Sequence, residues 1–192
     1  MKNQYVADIN DYKKYLLIKE LSKSYKIIDV CWMLTENDGR KDGRKLSYLF
    51  DESQRCDSDI YNYLRSLVLA HVKNVKAIEQ GEILPVRNYY EKLTNINLND
   101  MPELLFLDPD NGIEVKSVQF GKSGSERYLY FHQIKALIEC GCDLLIYQHY
   151  PRVNRIAYQS KRDSEIFKEI GNVRVTHFNR GMIEFILMQQ MV

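Results

Sequence analysis

Leu104-Leu105-Phe106-Leu107 is an apolar run with no polar break, and it ends abruptly in Asp108-Pro109-Asp110-Asn111-Gly112. An uninterrupted run of this kind, bounded by a Pro/Gly turn, reads as a strand buried on both faces. A strand buried on both faces needs covering layers above and below, which restricts the chain to a layered α/β architecture. A second run repeats the pattern: Leu144-Leu145-Ile146-Tyr147 leads straight into Gln148-His149-Tyr150-Pro151-Arg152. Ligands of open α/β sheets bind outside the carboxyl ends of the strands. The two polar turns therefore mark the expected site.

Helical and strand patterns alternate around these runs. Asp11 reads as the N-cap of a helix carrying Tyr15, Ile18 and Leu21 on one stripe. Lys26 to Leu34 reads as a buried strand opening into a polar loop from Thr35 to Lys45. Asp57 or Ser58 caps a helix with Ile60, Leu64, Leu67, Val68 and His71 on one face. Val75 to Leu84 is expected as a short strand, and Pro85 as the first turn of a helix through Leu93. Ser125 is expected to cap a helix carrying Tyr130, Phe131, Ile134, Leu137 and Ile138, with Gly141 as its stop. Another helix ends near Ile170, before Gly171. Val173 and Val175 then alternate with Arg174 and Thr176, and Ile183, Phe185 and Leu187 alternate again beyond the Asn179-Arg180-Gly181 turn, so the chain closes in an antiparallel hairpin.

This order predicts a single α/β domain over residues 1–192 with a doubly wound, mainly parallel sheet and a C-terminal antiparallel hairpin. The arrangement resembles the class I methyltransferase-like Rossmann fold. The Leu104 and Leu144 strands are expected to be neighbours, bringing Asp108 and His149 to one rim.

The 192 residues are 45% hydrophobic, enough for a substantial core. Their 27 basic side chains nearly balance 26 acidic ones, so no global field advertises nucleic acid, although a local patch remains open. No apolar run approaches the ~20 residues of a membrane span, and the first residues lack an apolar signal core. A cytoplasmic protein with no membrane partner is the expectation. Cys31, Cys56, Cys140 and Cys142 include no C-x-x-C pair and read as buried or incidental thiols.

Four groups of residues carry the candidate chemistry. Asp108, Asp110 and Asn111 offer two carboxylates and an amide at a strand end, suited to orienting an amine or hydroxyl, or to holding a divalent cation. His149 is the one histidine directly past a buried strand and can transfer a proton, while Arg152 offers a fork for phosphate or carboxylate. Asp8, Asp11 and Lys14 recur three residues apart and share a face, with Lys14 placed to reach an anion. The loop after the first strand, with Thr35, Asp42 and Gly43, lies where a nucleotide-type cofactor touches such a sheet. Its glycines are too few for a dinucleotide cradle, whereas Arg40, Lys41, Arg44 and Lys45 suit nucleic-acid phosphates. Two look-alikes carry less. Gly121-Lys122-Ser123 resembles the end of a P-loop, but Lys116 stands where its first glycine belongs. Pro109-Asp110 with Glu114-Val115-Lys116 mimics a nuclease pattern whose halves usually occupy separate strands.

These same residues resemble an uncharacterised prokaryotic family with a GDIGDFxKYxLLR-like start, a W-x-L-T loop with a downstream D-G, then FLDPDNGI and YQHxxR. The chain supplies Ala7-Asp8-Ile9-Asn10-Asp11-Tyr12-Lys13-Lys14-Tyr15-Leu16-Leu17, Trp32-Met33-Leu34-Thr35 with Asp42-Gly43, Phe106 through Ile113, and Tyr147-Gln148-His149 with Arg152. That likeness assigns no reaction. A fainter one is to ribosomal-RNA adenine N6-methyltransferases, which open with N-H-A-D-x-x-K-H and use D-P-P-Y. Asp8 to Lys14 would stand for the first motif and Asp108-Pro109 for the start of the second, with Asp110-Asn111 in place of Pro-Tyr. It implies S-adenosylmethionine as cofactor.

The leading expectation is an enzyme acting on nucleic acid or a nucleotide. Asp108, Asp110 and His149 would be catalytic, and Lys14, Asn111, Arg152, Asp8 and Asp11 would bind substrate. A divergent S-adenosylmethionine-dependent methyltransferase is the first form of that expectation. A metal-dependent nuclease or phosphodiesterase, with Mg²⁺ on Asp108 and Asp110, is the second. A non-catalytic binding protein of the same fold is the third.

Overall fold

The computed structural model describes residues 1–39, 45–151 and 153–191. Strand β1 (Ile28–Cys31) leads through helices α2 (Ser58–Leu69) and α3 (Val75–Gln80) to β2 (Asn88–Tyr90) on one side of it. The chain then crosses to β3 (Leu104–Leu107) on the other side of β1. Helix α4 (Phe131–Glu139) connects β3 to β6 (Asp143–His149), and α5 (Arg155–Glu169) connects β6 to β7 (Val173–Asn179). The last strand, β8 (Ile183–Gln190), turns back and inserts between β6 and β7, antiparallel to both. The order is β2-β1-β3-β6-β8-β7, with a two-stranded ladder of β4 (Gly112–Ile113) and β5 (Tyr128–Leu129) beside it. This is a Rossmann-like α/β sheet with an antiparallel C-terminal pair. No helix among the described residues is long and apolar enough to cross a membrane.

The unbroken apolar strands are explained by cover on both faces. Helix α1 (Ile9–Leu21), α2 and α3 pack Tyr15, Ile18, Leu64 and Ile78 against Val30, Phe106, Leu145 and Phe185. Helices α4 and α5 pack Ile134, Leu137 and Ile166 against Leu105, Leu107, Ile146 and Ile186. β1 and β3 are buried along their whole length. Leu107 pairs with Ile146, so the polar turns after β3 and β6 emerge side by side.

Four local expectations are corrected. Asp8, not Asp11, caps α1, its carboxylate accepting from the Asn10 and Asp11 amides at 2.7 and 3.1 Å. Val75–Gln80 is a helix, because Asn74 caps it and Val75 and Ile78, three apart, both reach the core. Pro85 precedes strand β2 rather than a helix, since Asn88–Tyr90 pairs with β1. Ser125–Arg127 forms only a 3-10 turn, because Tyr128–Leu129 is drawn into β5. Helix α4 instead begins at Phe131, where the Tyr130 amide donates to Gln133 Oε1.

Candidate functional site

Helix α1 turns Asp11, Lys14 and Tyr15 toward the sheet. The Lys14 ammonium is held by Asp11 Oδ1 at 2.8 Å and by Asp108 Oδ2 at 2.5 Å. Tyr15 donates its hydroxyl to Asp11 Oδ2 at 3.2 Å. The rings of Tyr15, Trp32, Phe106 and Tyr147 surround the ammonium, with centroids 5.8 to 5.9 Å away. Lys14, Asp11 and Asp108 are each only 2% exposed. Burial alone would lower the lysine pKa, but Asp108 and Asp11 outweigh it and raise it, so the group stays cationic. Burial pushes the Asp11 carboxyl up to about 6 against the pull of Lys14. It raises Asp8 as well.

Asp110 lies beyond this cluster, under the start of the chain. Thr35 Oγ1 donates to its Oδ2 at 2.6 Å, and Lys2 Nζ stands 3.3 Å from the same oxygen. The Met1 ammonium is 2.9 Å from Oδ1 in an ion pair without hydrogen-bond alignment, and donates to the Asp108 carbonyl at 2.7 Å. Burial would raise the Asp110 pKa, but the Met1 ammonium, Thr35 and Lys2 outweigh it and lower it. Asn111 contributes backbone: its amide donates to the Arg127 carbonyl, and its carbonyl accepts from Gln148 Nε2 at 3.1 Å. The buried Gln148 also accepts from the Ile113 amide at 2.9 Å, tying the turn after β3 to β6.

Side chains alternate along a strand, so Tyr147 and His149 share the sheet face of Phe106 and Asp108. His149 extends past the rim and is exposed. Partial burial, then the Lys45 ammonium, lowers its pKa, which favours the neutral imidazole. Among the described residues, no hydrogen bond or ion pair joins His149 to Asp108 or Asp110. The structure thus brings Asp8, Asp11, Lys14 and Asp108 into one cluster and Thr35 onto Asp110, and leaves His149 on the same face at the mouth. Arg152, Asp42 and Gly43, with Arg40, Lys41 and Arg44, lie outside the described residues.

Sequence reasoning missed the aromatic box and Lys2. The box had a signal: Tyr15 follows Lys14, and Tyr147 sits two residues before His149 at strand spacing. Lys2 carried none. A recess of about 260 Å³ opens beside the end of β1, lined by Met33, Leu34, Leu93, Phe120 and Tyr130 among others. No group of three or more His, Cys, Asp or Glu side chains among the described residues is arranged to hold a metal ion. A scan against protein-family models and a search of curated proteins found no match to this chain.

Proposed function

We propose that this protein is an enzyme of methyltransferase-like architecture acting on nucleic acid or a nucleotide, with its site at the carboxyl ends of β1, β3 and β6. One observation carries the reading. The Asp108 carboxylate, paired with the Lys14 ammonium at 2.5 Å, follows the strand next to the point where the sheet order reverses, which is where such sheets take ligands. A carboxylate there can accept a hydrogen bond from a substrate amine or hydroxyl and orient it. His149, favouring its neutral form, is suited to take a proton at the mouth of the crevice. Asp110 and Asn111 shape the turn between them. Lys14 is the buried counter-ion of Asp108.

S-adenosylmethionine would supply an electrophilic methyl group. The aromatic and apolar recess fits its heterocycle. The segment after β1 does not fit its charged end. The amides of Trp32, Leu34 and Thr35 already donate to the carbonyls of Tyr90, Glu91 and Met1. Mg²⁺-dependent hydrolysis meets a similar obstacle, because Lys14 and Lys2 stand against the two carboxylates a cation would need.

Calorimetry tests the reading. S-adenosylmethionine and then Mg²⁺ are titrated into the wild type and an Asp108→Ala/Asp110→Ala variant. Cofactor uptake that the variant loses supports methyl transfer. Metal uptake that the variant loses supports hydrolysis instead; uptake of neither, with no binding of nucleotide or oligonucleotide added afterwards, overturns the reading.

A further inference from the structure

Cations from four separate parts of the chain converge beside the crevice. Lys13 of α1 donates to the Arg180 carbonyl in the β7–β8 turn at 3.2 Å. An ammonium has three donors, so most of its capacity remains. Arg180 and Ile183 close that turn through a backbone hydrogen bond, and Ile183 pairs with His149. Lys45, whose carbonyl accepts from the first amide of α1, acts electrostatically on His149. Arg155, at the start of α5, lies over the Tyr150 ring at 5.1 Å and reaches Met182 of the same turn. Among the described residues, none of Lys13, Lys45, Arg155 and Arg180 has a carboxylate within ion-pair distance. The nearby acids Asp8 and Glu184 are buried. An open groove of about 430 Å³ continues from Lys13 and Arg180 along α1 past Lys19 and Lys23. Its two acids are already paired, Glu20 with Lys23 at 2.7 Å and Asp57 with Lys19 at 2.6 Å.

We infer that this groove and rim form a track for the phosphodiester backbone of a single-stranded nucleic acid, running along α1 past Lys13 and Arg180 to His149. The inference rests on the proposed function and narrows it from nucleotide to polymer, because a mononucleotide has no use for cations spread over a helix, a turn and a second helix. Charge complementarity selects a polyanion. The surface beside the cations selects one with flat apolar groups: Met182 is 49% exposed, Ile156 76% and Val153 58%, next to the Arg155 guanidinium, which lies over the buried Tyr150 ring. A basic groove that tracks the backbone, beside groups such as an arginine plane against which bases can lie, is how proteins hold an unpaired strand. A duplex would keep its bases from that surface.

The test is fluorescence anisotropy with labelled 12-nucleotide single-stranded RNA and DNA, the corresponding duplex, and polyglutamate, each at several salt concentrations. The expected result is binding of a single strand that Lys13→Glu/Arg180→Glu weakens at least tenfold, with a shallower salt dependence. Lys135→Glu, on the solvent face of α4, should bind as the wild type does. Arg155→Ala, which leaves the Lys13–Arg180 contact intact, should weaken the single strand severalfold, and circular dichroism checks that each variant is folded. Single-strand binding that these changes leave untouched overturns the track while the nucleic-acid reading stands. Polyglutamate binding as tightly, with the same sensitivity, overturns it in favour of an acidic peptide. Oligonucleotides that fail to bind a protein that takes up S-adenosylmethionine overturn the track and leave only a nucleotide-sized substrate.

Discussion

Lys14 shows what a single residue decides here. Its ammonium neutralises two carboxylates that are almost fully removed from water, and four aromatic rings supply the rest of its surroundings. Lys14→Met fills much of the same volume but leaves Asp11 and Asp108 buried without their partner. The expected loss is about 3–5 kcal/mol, read by urea denaturation at neutral pH. The loss should shrink as pH falls through the elevated Asp11 pKa, because a protonated Asp11 no longer needs the cation. A variant as stable as the wild type would mean the cluster opens to water. Gly112 is the second such position. Its φ is +98°, and a Cβ there would collide with the Gln148 amide that holds the Ile113 amide. Gly112→Ala should therefore cost about 1–3 kcal/mol and raise exchange of the Ile113 amide. The sequence made half of the Lys14 cluster legible, since Asp11 and Lys14 lie three apart on a helix. Asp108 is 94 residues away, and no local pattern names it as their partner.

Elements are read well where one period dominates. The closing antiparallel pair and the end of α5 before Gly171 stand as read, but β8 is buried on both faces from Ile183 to Met188 rather than alternating, because it inserts inside the sheet. The stretch from 75 to 93 was misread because its elements are short. α3 has six residues and β2 three, too few for apolar spacing to separate a helix from a strand. The β7–β8 hairpin and α5 are also tied by a feature that periodicity does not display. His177 on β7 puts Nδ1 2.9 Å from Glu184 Oε2 on β8 and Nε2 2.8 Å from Asp163 Oδ1 on α5. Both contacts are hydrogen bonds to ionised carboxylates only when the ring is an imidazolium, so the geometry favours that form. Tyr150 and Gln159 also donate to Glu184 Oε2, each at 2.7 Å. The hydrogen bond to Glu184, opposed by burial and aided by Asp163, raises the His177 pKa. A raised pKa contributes stability that is fully present below the unfolded value of ~6.5 and is lost as pH rises through the folded value. The Tm gap between wild type and His177→Gln should accordingly be widest near pH 6 and narrow toward pH 9. A gap independent of pH would show a neutral ring.

At the scale of the molecule, the sequence foretold the doubly wound plan because helices and strands alternate and a hairpin closes the chain. That the last strand inserts antiparallel to the rest follows from the likeness to the class I methyltransferase fold and not from local composition, which carries no mark of the insertion or of the reversal at β1. The reversal makes β1 an inner strand and β2 an edge, and an ion pair between the buried Asp29 and the partly exposed Arg87 helps to bind that edge. Asp29, fully buried in β1, receives Arg87 Nε at 3.0 Å and Nη2 at 2.8 Å from the residue just before β2. It also accepts from the Asn88 amide and the Tyr90 hydroxyl. β3 and β6 lie in the middle of the sheet, with ladders on both sides and helices on both faces. Arg87→Met removes the cation and leaves a buried carboxylate with only neutral donors. Because Arg87 is partly exposed and Asp29 keeps those donors, the cost should fall at the low end of about 3–5 kcal/mol. Hydrogen exchange distinguishes a local loss from a global one. In the wild type, the β3 and β6 amides should be slowest, exchanging only on global unfolding. In Arg87→Met, the amides of β2 and those of β1 that face it should speed up more than the drop in global stability accounts for. Equal acceleration in β2 and β6 would instead mean that the edge and the centre open as one unit, and that the pair stabilises the whole sheet rather than pinning its edge.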